Sequence, residues 1–265
     1  MRIPITMCHG CGGGPRPLDA ERFERYFAIA RRLGFESISY DDLAAWRFEG
    51  AALPGRPIMF DFDHAAVSIR HQIMPVMAAA GYRGNLFVHT EPLEQMHAGP
   101  IPAHDERSYM TWDEIGELVA GGWHIGAHTH THPNLSALAM KDPSGEAIAV
   151  ELQTNDDLLR RRLGVVPRDF AFTGTSWSSQ AYRLVQRRYR FGRLWIIGAM
   201  YEADGKAIRY ADLVGAPGAD EADGGPPAAA RYITEQTPPH MLPAMELQEL
   251  IHDYGAFEAY LTAAL

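Results

Sequence analysis

The chain has 265 residues, of which 46% are hydrophobic and 22% are charged, and its formal net charge is −9. This composition is typical of a folded globular protein, and the negative charge argues against nucleic acid or an anionic membrane as the main partner. No apolar run is long enough to span a bilayer, and the N-terminus lacks the apolar core of a signal peptide. We therefore expect a cytoplasmic protein, although a secreted protein shortened at its N-terminus would have the same sequence.

Predicted strands and helices alternate along the chain. The predicted strands cover about residues 3–8, 35–39, 57–62, 85–89, 123–127, 169–172, 193–197 and 232–234. The predicted helices cover about residues 19–33, 41–46, 67–80, 111–120, 146–163 and 178–188, and an amphipathic helix from 241 to the C-terminus. Asp19 and the capping box of Thr111 and Glu114 mark two helix starts. Residues 203–230, rich in Ala, Gly, Asp and Pro, are expected to form a long irregular loop.

This alternation predicts an α/β protein with a parallel sheet, either a barrel or a doubly wound sheet. No internal repeat or domain boundary is visible, so we expect one domain over residues 1–265. Side chains that could bind a ligand or take part in catalysis follow the predicted strands at His9, Asp61, His128 and Thr173. In a parallel barrel the carboxyl ends of the strands form the catalytic face.

A buried strand ends in two carboxylates within Ile58-Met59-Phe60-Asp61-Phe62-Asp63-His64. Because side chains alternate along a strand, Asp61 and Asp63 point to the same side. Two carboxylates on one face are costly unless a metal ion or a shared proton neutralises them. The alternative is a solvated strand end in which Asp63 caps the next helix.

Two histidines follow another predicted strand, in His128-Thr129-His130-Thr131-His132-Pro133. If the segment turns helically, residues four apart face the same point, which suits two imidazoles on one ion. With the aspartates, this predicts a divalent metal held by Asp63, His128 and His132, with Asp61 left free as a base. Such a set leaves coordination positions open for water and substrate. The alternative is a polar loop with surface histidines.

Both segments resemble motifs of the polysaccharide deacetylase family, also called the NodB homology or carbohydrate esterase 4 group. The first family motif is usually Thr-Phe-Asp-Asp, and residues 60–63 match its Asp-x-Asp variant. Residues 128–133 match the second motif, His-(Ser/Thr)-x-x-His-Pro, in full. The resemblance implies a distorted (β/α)7 barrel, with Asp61 as base and Asp63 as a metal ligand. We expect Zn²⁺ in this site, with Co²⁺ or Ni²⁺ able to substitute.

Four segments, at residues 23–43, 53–57, 85–88 and 109–112, resemble the poly-N-acetylglucosamine deacetylase branch of that family. In this branch a circular permutation of the fold puts the strand that carries the general-acid histidine first in the chain. The resemblance therefore implies that His9 is the general acid for the leaving amine. His240, after two prolines, is an alternative.

Three features depart from the family pattern. Residues 170–175 lack the proline and tyrosine of the third motif, so the resemblance assigns the oxyanion-binding N–H only to the backbone near Gly174 or Thr175. The glycine that usually follows the aspartate motif is replaced by His64, which is expected to crowd the entrance. The loop at 203–230 has no counterpart.

The sequence thus predicts a metal-dependent hydrolase that removes an N-acyl group, in the first instance acetyl, from an amino sugar or oligosaccharide. One alternative is a relative that acts on another carbon–nitrogen bond, in a cyclic imide, a ureide or a small acylated metabolite. Another is a non-catalytic carbohydrate-binding protein. Cys8 and Cys11 have CxxC spacing, but without a second pair a zinc-ribbon or redox role is the weaker interpretation.

Overall fold

The structure, a computed structural model, describes residues 1–13 and 16–265. Eleven strands are assigned within these residues. They are β1 Ile5–Cys8, β2 Glu36–Ser37, β3 Pro57–Asp63, β4 Asn85–Val88, β5 His124–Ala127, β6 Asp169–Ala171, β7 Ser176–Trp177, β8 Phe191–Ile196, β9 Met200–Ala203, β10 Lys206–Arg209 and β11 Leu242–Glu246.

Ten α-helices are assigned in the same residues, together with short 3-10 turns and a π-helical stretch, Ile69–Ile73. They are α1 Ala20–Arg32, α2 Tyr40–Glu49, α3 Met74–Ala79, α4 Glu91–His97, α5 Trp112–Ala120, α6 Leu135–Lys141, α7 Glu146–Leu163, α8 Ser179–Arg188, α9 Tyr210–Leu213 and α10 Tyr254–Ala264. Across the described ranges, no helix combines the length and apolarity that a membrane crossing requires.

Seven strands form a closed parallel barrel in the order β1-β11-β8-β6-β5-β4-β3, and β3 pairs back onto β1. The short β2 adds to β3 outside the ring. The predicted (β/α)7 barrel is confirmed. Because all the ring strands are parallel, their carboxyl ends meet at one rim, where strand-end side chains from distant parts of the chain come together.

The barrel has an inner and an outer apolar layer. Met7, Phe87 and Ala171 belong to a buried cluster inside the ring. Phe27 and Phe62 belong to the larger cluster between the strands and the surrounding helices. Burial of each such aromatic side chain stabilises the fold by roughly 1.5–3 kcal/mol. All residues of β3 are buried, so the strand that carries the two aspartates is held from both sides.

The predicted helix starts are confirmed. Asp19 accepts a hydrogen bond from the backbone N–H of Arg22 at 2.8 Å, and Thr111 and Glu114 form the expected capping box. A further capping box, formed by Ser39 and Asp42, starts α2. Caps are local features, which is why the sequence reveals them.

The C-terminal prediction was wrong. The segment from 241 onward is not one helix, because Leu242–Glu246 forms β11, which lies between β8 and β1 and closes the barrel. Helix α10 begins later, with Asp253 as its N-cap. A short apolar run is ambiguous between strand and helix by periodicity alone. Residues 232–234, predicted as a strand, contribute an isolated antiparallel bridge from Ile233 to Ile3.

The segment 203–230 is also less irregular than predicted. β9 and β10 form an antiparallel hairpin, and β9 pairs with β7. Asp204 and Gly205 make the turn with φ of 48° and 74°. Asp-Gly is a strong hairpin signal, so this element was readable from the sequence. Residues 214–227 are irregular, as expected.

Candidate active site

Asp61 lies inside the barrel on β3 and is 1% exposed. Its Oδ2 accepts a hydrogen bond from the hydroxyl of Tyr40 at 2.7 Å, and its Oδ1 accepts one from the amide of Asn85 at 3.0 Å. The Nε of Arg193 lies 3.4 Å from Oδ2. Burial raises the pKa of Asp61 to about 6, although Arg193, Tyr40 and Asn85 oppose this rise. The pKa of Asp61 is thus only slightly below neutral pH. Both of its carboxylate oxygens accept hydrogen bonds, so the side chain is not free as predicted.

Asp63 lies nearer the carboxyl end of β3 and is also buried. Its Oδ1 pairs with the Nη2 of Arg193, and its Oδ2 lies 3.6 Å from the Nε2 of His128. Asp63 does not cap the next helical segment, which starts after Ser68. The structure therefore places Asp63 between a guanidinium and one of the two predicted histidine ligands.

Arg193 is a site residue that the sequence motifs do not predict. Its side chain is fully buried on β8 and bridges Asp61 and Asp63, with its guanidinium carbon 5.0 Å from the centre of the Phe87 ring. A buried charge requires partners of opposite charge. The available signal was a single arginine inside the apolar strand Phe191–Ile196, which implies an acidic partner elsewhere in the core.

His128 follows β5 and is 1% exposed. Its Nδ1 lies 2.8 Å from the carbonyl oxygen of Ala171. Because a carbonyl only accepts, Nδ1 carries the proton and Nε2 offers a lone pair. Burial lowers the pKa of His128 well below its usual value, so the ring is neutral. Among the described residues, Nε2 has no hydrogen-bond partner. This is the state of a metal-ligating histidine whose other nitrogen is anchored by a carbonyl.

The loop from His128 to His132 is not a helical turn. Thr129 and His132 have φ of 65° and 58°, and the carboxylate of Glu151 accepts hydrogen bonds from the backbone N–H groups of His130 and Thr131 at 2.9 and 2.8 Å. The predicted convergence of the two imidazoles occurs, with ring centres 4.8 Å apart, but a tight loop produces it. The side chain of His130 points elsewhere, towards the hydroxyl of Thr90.

His64 does more than crowd the entrance. Its Nε2 lies 3.0 Å from the Nε2 of His132, and one ring nitrogen from each of His64, His128 and His132 lies within 4.8 Å of the others. We call these three residues the imidazole cluster. His64 and Ala65 both have positive φ, 72° and 57°, which turns the chain sharply at the end of β3. A ligand role for His64 is not among the sequence predictions.

His9, after β1, lies on the same rim. Its ring centre is 4.6 Å from that of His64 and 5.2 Å, edge-on, from that of Trp195. Burial lowers the pKa of His9. The indole N–H of Trp195 donates to Glu246, and burial raises the pKa of Glu246 to about 8. His9 thus packs beside the imidazole cluster against Trp195, whose indole is in turn fixed by Glu246.

His240, the alternative general acid, lies at the other end of the barrel. It precedes β11, and its Nε2 lies 2.9 Å from the carbonyl oxygen of Tyr189, which precedes β8. Both positions are at the amino ends of parallel strands. The geometry therefore favours His9 over His240.

The segment after β6 packs against the histidine loop. The hydroxyl of Thr173 donates to the carbonyl of Pro133, and the hydroxyl of Tyr201 donates to the carbonyl of Gly174 at 3.1 Å. The oxyanion role near Gly174 or Thr175 stays a prediction.

Cys8 and Cys11 are free thiols, and Cys8 is buried.

The donor set suits a divalent transition metal. Imidazole nitrogens with a nearby carboxylate are the ligands that Zn²⁺ and similar ions take in catalytic sites. Within residues 1–13 and 16–265, the buried Nε2 of His128 has no hydrogen-bond partner, and it lies 3.6 Å from the Oδ2 of Asp63. The residues therefore fit a metal such as Zn²⁺.

Comparison with known proteins identifies the family. A family model described as "Polysaccharide deacetylase" matches residues 50–191. No curated protein sequence matches the chain significantly. Three solved structures have the same fold. A deacetylase, PplD, from Streptococcus pyogenes with acetate has a TM-score of 0.67 and 14% identity, covering 93% of this chain and 92% of its own.

The other two are similarly distant in sequence. IcaB from Ammonifex degensii has a TM-score of 0.65 and 14% identity, covering 100% of this chain and 99% of its own. A de-N-acetylase from Aggregatibacter actinomycetemcomitans has a TM-score of 0.62 and 15% identity, covering 74% and 88%. At such identities the structures establish the shared fold, while the family model covers more than half of the residues. The chain belongs to the polysaccharide deacetylase family of hydrolases.

Proposed function

We propose that the chain is a metal-dependent deacetylase that hydrolyses the N-acetyl group of an amino sugar or oligosaccharide. One observation carries this proposal: the imidazole cluster, Asp63 and His9 converge at the carboxyl rim of the barrel. The family assignment and the acetate in the structure of the streptococcal relative support an acetylated substrate.

His128, His132 and a third ligand would hold the ion. The resemblance assigns the third position to Asp63, whose Oδ2 lies near His128. When bound, a divalent metal supplies Lewis acidity that polarises the substrate carbonyl and makes water more acidic. The ion is proposed to be Zn²⁺, with Co²⁺ or Ni²⁺ as substitutes.

Asp61 is the proposed base. Its pKa of about 6 allows it to be ionised at neutral pH and still accept a proton from the attacking water. Tyr40 and Asn85 each hold one of its oxygens, which fixes the orientation of the carboxylate. Arg193 supplies the positive charge that keeps Asp61 ionised inside the barrel.

His9 is the proposed acid. It lies beside the imidazole cluster and against Trp195, where it can deliver a proton to the leaving amine. A cavity beside His9 is also lined by Trp195, Glu246 and Gln248. This cavity is the proposed place for the part of the substrate that leaves with the amine.

The test is a panel of substrates on the purified protein loaded with Zn²⁺. Acetate release is measured from N-acetylglucosamine oligomers and from a small N-acetylated metabolite. A cyclic imide and a ureide release no acetate when hydrolysed, so their turnover is measured as loss of the starting compound by chromatography. We expect release from the oligomers, lost on treatment with a chelator and restored by Zn²⁺. Turnover confined to the imide, the ureide or the small amide would reject the sugar substrate, and glycan binding without acetate release would reject catalysis.

A further inference from the structure

His64 is placed as a metal ligand would be. Its Nε2 lies 3.0 Å from the Nε2 of His132, and one ring nitrogen from each of His64, His128 and His132 lies within 4.8 Å of the others. Two nitrogens at that distance repel one another unless a proton or a cation lies between them. Three imidazoles that each present one nitrogen to a common point match the ligand geometry of a transition metal.

The backbone at His64 is strained, and the strain aims the side chain. A non-glycine residue at φ of 72°, followed by another at 57°, costs on the order of 1–3 kcal/mol for each residue. Glycine would adopt this turn without strain. The N–H of His64 donates to the carbonyl of Phe87 at 3.1 Å, which anchors the turn to β4. An imidazole held there at such a cost indicates a function for its ring.

Asp63 is committed to another partner. Its Oδ1 pairs with the Nη2 of Arg193, which is fully buried. If Asp63 turned away to bind an ion, the guanidinium would lose a buried counter-charge, which is strongly destabilising. The Asp63 carboxylate is thus required as the counter-charge of Arg193.

Coordination number indicates that either His64 or Asp63 binds the ion, but not both. Three protein ligands leave the fourth tetrahedral position open, which is the catalytic arrangement, whereas a fourth protein ligand would close the site. The structure assigns the ligand set to His64, His128 and His132, and makes Asp63 a positioning residue that Arg193 holds beside it. This inference rests on the proposed function because it assumes that a divalent ion binds at this rim.

The test compares metal binding by single variants of the full chain, without reference to turnover. Apo protein is titrated with Co²⁺ while its visible absorption is recorded, and bound Zn²⁺ is measured by mass spectrometry after dialysis. The variants are His64→Ala, Asp63→Asn and His132→Ala. His130→Ala is the matched control, since its ring bonds Thr90 outside the cluster. Circular dichroism checks that each variant is folded.

We expect wild type to bind one ion, His64→Ala and His132→Ala to lose stoichiometric binding, and His130→Ala to behave as wild type. Asp63→Asn should keep the ion, with an affinity loss within the roughly 10–100-fold range of outer-sphere partners. If Asp63→Asn is misfolded, counting imidazoles around Zn²⁺ in wild type by X-ray absorption decides instead, with three expected and two overturning the inference.

The opposite pattern overturns the inference while leaving the proposed function intact: full binding by His64→Ala and loss of the ion from Asp63→Asn. A wild-type protein that takes up no ion overturns both the inference and metal dependence. Absence of acetate release from a protein that shows the expected metal-binding pattern overturns the proposed deacetylase and supports the ligand assignment.

Discussion

Replacing Arg193 by Met should destabilise the fold strongly. The guanidinium is 0% exposed and pairs with Asp61 and Asp63, which are 1% and 2% exposed. Removing one partner of a buried ion pair costs about 3–5 kcal/mol, because the remaining charge is left uncompensated. Against a total stability of about 5–15 kcal/mol for a typical domain, the loss is large. Urea unfolding of apo protein, followed by circular dichroism at pH 7, measures it.

The loss should depend on pH. Burial already raises the pKa of Asp61 to about 6, and Arg193 is the main group that lowers it. Without Arg193 the folded-state pKa rises further above the unfolded value. Protonated Asp61 is then favoured in the folded state, so the deficit of Arg193→Met should narrow as the pH falls from 7 to 5.

An exposed arginine provides the control. Arg209 pairs with Asp212, with side chains 36% and 50% exposed. Solvent screens such an exposed pair, which contributes little to stability, so Arg209→Met should unfold nearly as wild type does. If Arg193→Met and Arg209→Met lose similar amounts, or if Arg193→Met stays within about 1 kcal/mol of wild type, the account of a buried charge network is wrong.

Three further changes have distinct outcomes. Burial lowers the pKa of His124, but Asp169 and Asp41 outweigh this and raise the pKa to about 9. The stabilisation of the fold by charged His124 is complete below pH 6.5 and is lost as the pH rises through 9. In urea titrations wild type should therefore lose about 3 kcal/mol more stability by pH 10 than His124→Gln does, and equal losses would refute the pairing. Asp61→Asn should keep its metal but release acetate at least about 100-fold more slowly, and metal loss would reject its role as base. Glu151→Gln should weaken Co²⁺ binding about tenfold because the His130 and Thr131 N–H groups lose a charged acceptor. Unchanged affinity would show that the loop from His128 to His132 keeps its conformation without Glu151.

The sequence by itself determined the alternating architecture and the two segments that bear the chemistry. The aspartates at 61 and 63 share a face because strand periodicity is local. The convergence of His128 and His132 was predicted too, although their local geometry was not: Glu151 and two left-handed residues make the loop, not a helical turn. Helix caps at Asp19 and Thr111 follow from neighbouring residues alone.

Tertiary structure decided which groups meet these segments. Arg193 reaches Asp63 across 130 residues of chain, and Tyr40 and Asn85 reach Asp61 from other elements. The amphipathic pattern of residues 242–246 predicted a helix, but these residues form β11. They do so because a strand between β8 and β1 is needed to pair the two open edges of the ring. His64 acquires its place from a turn that points its ring at residues more than sixty positions away. Local periodicity fixes the direction of a side chain, whereas its partners depend on the register and closure of the barrel, which are set by contacts between distant parts of the chain.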